Sequence, residues 1–138
     1  MHLVSRLAMA MVLVGCGCTD VGCGNDIRFD AATVASWIGS QAFTMTVCAE
    51  GECQTLRVSD ASQSDWFGFE VDPDASGELD VELTVTAGAE TRDASGTIEL
   101  GSYRPNKGLC PPVCPEADVG LEGDVLRNAE PGSITPRD

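Results

Sequence analysis

The residues of this chain that could do chemistry fall into two sets: cysteines in close pairs, and a run of acids around Asp72. The thiols stand as Cys18 with Cys23, Cys48 with Cys53, and Cys110 with Cys114. Zinc sites built from thiolates usually use C-x2-C-like spacings, often with histidine. Every pair here is more widely spaced, and the absence of a C-x-x-C also removes the usual dithiol-exchange motif. The pairs therefore read as structural disulfides of an oxidising compartment. Six thiols allow several connectivities; the local pairs Cys48–Cys53 and Cys110–Cys114 are preferred, with Cys18–Cys23 as a third. Pro111 and Pro112 restrict the backbone inside the second loop.

The acidic run is Asp72-Pro73-Asp74-Ala75-Ser76-Gly77-Glu78-Leu79-Asp80. Asp72, Asp74, Ser76 and Asp80 place oxygens as the front half of a calcium loop does, and Gly77 permits its turn. The match then stops. The twelfth position is Leu83 where a bidentate Glu is wanted, Glu82 comes one residue early, and Pro73 is foreign to such a loop. The preferred reading is an acidic hairpin joining two strands, with no metal and no cofactor; a calcium-responsive surface module is the alternative.

Other chemistries are narrowed by what the chain lacks. Its one histidine is His2. No G-x-S-x-G, P-loop or G-x-G-x-x-G occurs. Paired carboxylates could still serve a small hydrolase, but seven aromatic residues offer little surface for stacking a sugar. A non-enzymatic module is expected. With 8 basic and 22 acidic residues, the chain carries a formal charge of -14. That charge repels nucleic acid and anionic headgroups and favours cations and basic proteins as partners.

The elements that must position these residues begin with an export segment. A positive start (the amino terminus and Arg6) leads into Leu7-Ala8-Met9-Ala10-Met11-Val12-Leu13-Val14. Eight residues at about 1.5 Å each reach roughly 12 Å, too short for a hydrocarbon core of about 30 Å. The segment fits the core of a signal peptide. It ends in Leu13-Val14-Gly15-Cys16, which resembles the lipobox of bacterial lipoproteins. The resemblance implies a diacylglyceryl group on the Cys16 thiol, cleavage before Cys16, and anchoring to the cell membrane on its extracytoplasmic face. Removing Cys16 from the thiol pool makes the cysteine count even, and cleavage removes His2, leaving no imidazole for a triad or a metal.

After a small, polar tether at 16–25, strand patterns follow one another from Asp26 to about Glu122. Alternation runs through Ile27/Phe29, Phe43/Met45/Val47, Leu56/Val58, Phe67/Phe69/Val71, Leu79/Val81/Leu83/Val85, Ile98/Leu100 and Val119/Leu121. About seven short strands predict an all-β domain over 26–122, an antiparallel β-sandwich of immunoglobulin-like or transthyretin-like kind. Ala31 to Gly39 breaks the alternation as a helical turn or a loop, and 123–138 reads as a flexible tail.

One pairing is specified in detail. If Glu50-Gly51 is a two-residue turn, Cys48 faces Cys53, Val47 faces Gln54, Thr46 faces Thr55, Met45 faces Leu56, and Phe43 faces Val58. Apolar pairs then share one face and the threonines share the other with the cystine. Gln54 alone breaks the apolar face. Trp66, out of phase with Phe67 and Phe69, should point outward as a partner's anchor or a cover for a sheet edge, and Trp37 poses the same choice.

Leu13 to Cys16, the Cys48–Cys53 hairpin, and Arg104-Pro105-Asn106-Lys107-Gly108-Leu109-Cys110-Pro111-Pro112-Val113-Cys114 together give a chain that resembles the small cysteine-containing lipoproteins of high-GC Gram-positive bacteria. The resemblance implies a small β-sandwich displayed at the cell surface and carries no activity; the first expectation, from the residues themselves, is a non-enzymatic module that binds an envelope protein or wall component through its loops. The resemblance implies no site residues and no oligomeric state.

Overall fold

A computed structural model describes residues 26–103 and 114–130. The order is β1 (Asp26–Asp30), α1 (Ala31–Ile38), β2 (Phe43–Ala49), β3 (Glu52–Val58), a 3-10 turn (Ala61–Gln63), β4 (Trp66–Glu70), β5 (Glu78–Ala87), β6 (Glu90–Glu99), β7 (Gly101–Tyr103), β8 (Cys114–Glu122) and β9 (Val125–Asn128).

The expectation of an all-β chain holds, but the two-sheet antiparallel sandwich, immunoglobulin-like or transthyretin-like, does not. The strands form one nearly closed mixed sheet in the order β3-β2-β5-β6-β9-β8-β1-β4, with β7 paired to β8. Two of its joints are parallel, β1 with β8 and β6 with β9. Alternation fixes which side chains of a strand face inward and carries nothing about which strand lies beside it. The sandwich was therefore one of several closures compatible with the pattern.

The pattern itself is realised strictly. On β5, Leu79, Val81, Leu83 and Val85 are buried while Glu78, Asp80 and Glu82 are exposed. Outer-face residues pair across strands: the hydroxyls of Thr46 and Thr55 lie 3.0 Å apart, those of Thr86 and Thr91 3.1 Å, and Thr84 donates to Asp93 at 2.7 Å. Inside, Phe29 meets Phe69 and Phe43 meets Phe67 edge to face, at 5.8 and 5.9 Å. Each such pair contributes about 1 kcal/mol beyond its buried area.

The segment after β1 is an α-helix. Asp30 caps it, accepting from the Thr33 N–H at 3.0 Å and the Thr33 hydroxyl at 2.7 Å, and Gly39 ends it at φ 75°. Its buried face (Ala31, Val34, Ala35 and Ile38) packs on β1, β4, β5 and β6. These contacts place α1 where β1 and β5 end and β4 and β6 begin, so it closes that end of the barrel.

The segment beyond Glu122 differs from the expected tail. Val125–Asn128 is β9, with Leu126 fully buried. Four residues with one apolar anchor give no periodic signal, and the strand exists because β6 and β8 flank it. Gly96 makes room for it: a Cβ there would lie 1.9 Å from the Leu126 carbonyl oxygen. One ladder pair, Ser95 with Val125, joins β9 to β6. The Asn128 amide completes the joint, accepting from the Glu99 N–H at 2.9 Å and donating to the Glu99 carbonyl at 2.8 Å.

Candidate functional site

Among the described residues, no element covers the end of the barrel opposite α1. A cavity of about 930 Å³ lies there, between the β2–β3 hairpin and the segment that follows β4. Its floor is apolar, formed by Ile27, Val47, Phe69, Val71 and Leu79. Glu50, Glu52, Glu70 and Asp72 stand around its rim, all exposed. Ligand sites in proteins commonly enclose about 300–1,000 Å³, mostly apolar with a few placed polar groups.

The hairpin is what raises Glu50 and Glu52 over the floor. Glu50 and Gly51 have φ 54° and 78°, the double left-handed conformation of a type I′ turn, which matches the twist of the strands it joins. Pairing follows the register read from the side chains, Ala49 with Glu52 through Phe43 with Val58. The disulfide Cys48–Cys53 is present across a Cα separation of 4.0 Å, the short distance of a non-hydrogen-bonded pair.

Gln54, the residue that broke the apolar face, has its explanation here. Its side-chain amide donates to the Glu70 carbonyl at 2.6 Å and accepts from the Glu70 N–H at 3.1 Å. It thus spans from β3 to β4, two strands that no ladder pair joins. Sequence reasoning noticed the misfit at Gln54 but had no partner for it, because Glu70 is sixteen positions away.

The connection between β3 and β4 holds them apart. The Ala61 N–H donates to the Gln41 carbonyl at 2.7 Å, on the β2 side, and the Ala31 N–H to the Asp65 carbonyl at 3.1 Å, on the β1 side. Between these ties, Asp60 accepts from the Ser62 hydroxyl at 2.6 Å and the Ser62 N–H at 3.0 Å. Those two bonds hold its carboxyl below the ordinary aspartate range.

The acids proposed from sequence for calcium are dispersed. Asp72 lines the cavity, and its carboxylate accepts from the Asp74 N–H at 2.9 Å. Asp80 lies on the outer face of β5, accepting from the Thr97 hydroxyl at 2.8 Å. Asp74 and Ser76 are both exposed, in the connection that leads to Gly77. Among the described residues, no three His, Cys, Asp or Glu side chains converge as a metal would require.

Cys16, Cys18, Cys23 and Cys110 lie outside the described residues. Cys114 is buried and disulfide-bonded; its partner is likewise outside them. No helix among the described residues is long and apolar enough to cross a membrane.

Both tryptophans are engaged. Trp66 points outward, 37% exposed, with the Arg28 guanidinium 5.2 Å from its ring. Arg28, buried, also meets Asp118 at 2.8 Å. Trp37 donates its indole N–H to the Gly123 carbonyl at 2.7 Å. Arg92 stacks on the Trp37 ring at 4.5 Å, donates to the Trp37 carbonyl at 2.7 Å, and pairs with Asp124 at 3.2 Å. No protein-family model, curated protein or solved structure matches the chain.

Proposed function

We propose that this chain is a lipid-anchored module of the bacterial envelope. It binds, without catalysis, a ligand that joins an apolar group to positive charge in the cavity at the open end of the barrel. The observation that carries the binding reading is the composition of that cavity, an apolar floor under a rim of four carboxylates. The apolar part of a ligand gains by leaving water, at about 25 cal/mol per Å² buried. The rim selects its charge. The carboxylates all face solvent, the opposite of the desolvated setting in which a catalytic carboxyl is kept protonated, which favours binding over hydrolysis. The anchor rests on Leu13-Val14-Gly15-Cys16 and the short apolar run before it. Two acyl chains on one residue meet the requirement for stable membrane attachment, and an envelope protein or wall component is the expected source of the ligand.

Titration calorimetry with an alkyltrimethylammonium and an alkyl sulfate of equal chain length, both below micelle formation, tests the cavity. Saturable binding of the ammonium alone is expected, weakened in a Glu50→Gln, Asp72→Asn double variant. Equal binding of both amphiphiles would sink the reading. For the anchor, a fatty-acid analogue should label the wild-type chain in cells and fail to label Cys16→Ser, which should be released; retained label on that variant rules the anchor out.

A further inference from the structure

Among the described residues, the seam between β3 and β4 is a slot with two strand edges that no ladder pair joins. β4 shows its edge by the way Glu70 turns both its N–H and its C=O toward Gln54. In an antiparallel pairing, alternate residues turn their backbone groups the same way, so Gly68 presents its own N–H and C=O to the seam. On β3 the Cys48–Cys53 pair is the non-hydrogen-bonded kind, so Cys53, Thr55 and Arg57 turn their backbone groups away from β2. That direction is the same seam. β3 and β4 run antiparallel to each other, as the chain of pairings from β3 around to β4 requires. Among the described residues the bridge across is the Gln54 side-chain amide, a peptide group in all but its attachment, standing where a strand's own peptide group would stand.

We infer that this seam takes an extended, basic segment of a partner protein as an added strand, which displaces the Gln54 amide and completes the sheet. Main-chain hydrogen bonds to both edges would supply the affinity, as in other strand additions. The partner's charge follows from the surroundings of the slot. Glu50, Glu52, Glu70 and Asp72 stand at its open end and Asp60 and Asp65 at its closed end, against Arg57. A second copy of this chain, with a formal charge of -14, would be repelled from the same slot. The inference concerns the strand edges and does not require the neighbouring cavity to hold a ligand.

Fluorescence anisotropy with a labelled eight-residue peptide of alternating Lys and Val tests it on the full chain. Saturable binding is expected, weakened about tenfold or more when alternate amides of the peptide are N-methylated, since each set of amides serves one edge. Thr55→Pro should weaken binding comparably by removing an edge donor, while Thr55→Ala leaves it unchanged. Gln54→Ala should strengthen binding by removing the competing amide, and bound peptide should protect the Gly68 N–H from hydrogen exchange. The N-methylated peptide keeps the test valid even where Thr55→Pro fails to fold. Four results overturn the proposal: affinity indifferent to N-methylation, equal binding of a Glu–Val peptide, displacement of the peptide by the alkyltrimethylammonium probe, or dimerisation of the chain through β3.

Discussion

At the junction of β6 with β9 and at the seam between β3 and β4, a side-chain amide stands where a neighbouring strand's peptide group would stand. Asn128 bonds both backbone groups of Glu99 at the first, and Gln54 bonds both of Glu70 at the second. What surrounds the amide differs. The β6–β9 junction also has the Ser95–Val125 ladder pair, the close approach of Leu126 over Gly96, and the Trp37–Arg92–Asp124 clasp, which ties α1 and the β8–β9 turn to β6. Among the described residues the β3–β4 seam has its amide and no ladder pair, with a cavity beside it. An amide clamp therefore closes a sheet only where the backbones already meet. Where they are held apart, it leaves a bridge that another strand could replace.

The comparison breaks most sharply at Gly96. Gly96→Val should force β9 off β6 and cost about 3 kcal/mol, as overpacking against backbone does; urea unfolding measures it, and a loss under about 1 kcal/mol would show that β9 adjusts freely. On the open side, the covalent bond of the hairpin carries more than the amide does. Replacing Cys48 and Cys53 together with Ser should cost about 2 kcal/mol, the chain-entropy value for so short a loop, with β2–β3 pairing retained because the turn and the apolar face still set it. Loss of that pairing by NMR would mean the disulfide alone specifies the register.

The two amides can be compared directly. Asn128→Ala should destabilise by about 2 kcal/mol, two hydrogen bonds at a junction where a ladder pair and the close approach at Gly96 already hold the backbones together. Gln54→Ala should cost about half as much, because water enters the seam and takes over its bonds. Equal losses would remove the distinction between the two joints. The smallest effect is expected at Asp60. Ser62→Ala should return its carboxyl toward the ordinary aspartate pKa, read by NMR titration. Because the folded value is the lowered one, its contribution to stability is present above the ordinary pKa and lost as pH falls through the folded value. A titration unchanged in Ser62→Ala would assign the shift to another cause.

The contacts that sequence pattern can specify are local ones. Period-two alternation placed Phe43, Met45 and Val47 inside, and the two-residue turn at Glu50-Gly51 set Cys48 opposite Cys53, because side-chain phase and turn geometry are properties of a few adjacent residues. The helix after β1 was visible only as a break in that alternation, although its cap at Asp30 and its stop at Gly39 stand in the sequence. Sheet order was not legible. The parallel return of β8 to β1 and the insertion of β9 between β6 and β8 depend on segments tens of residues apart, which alternation treats as interchangeable. The role of Gln54 belongs to the same class. Sequence marked it as a polar residue in an apolar phase, but only the closure of the barrel brought Glu70 within its reach and turned a misfit into the bridge across the seam.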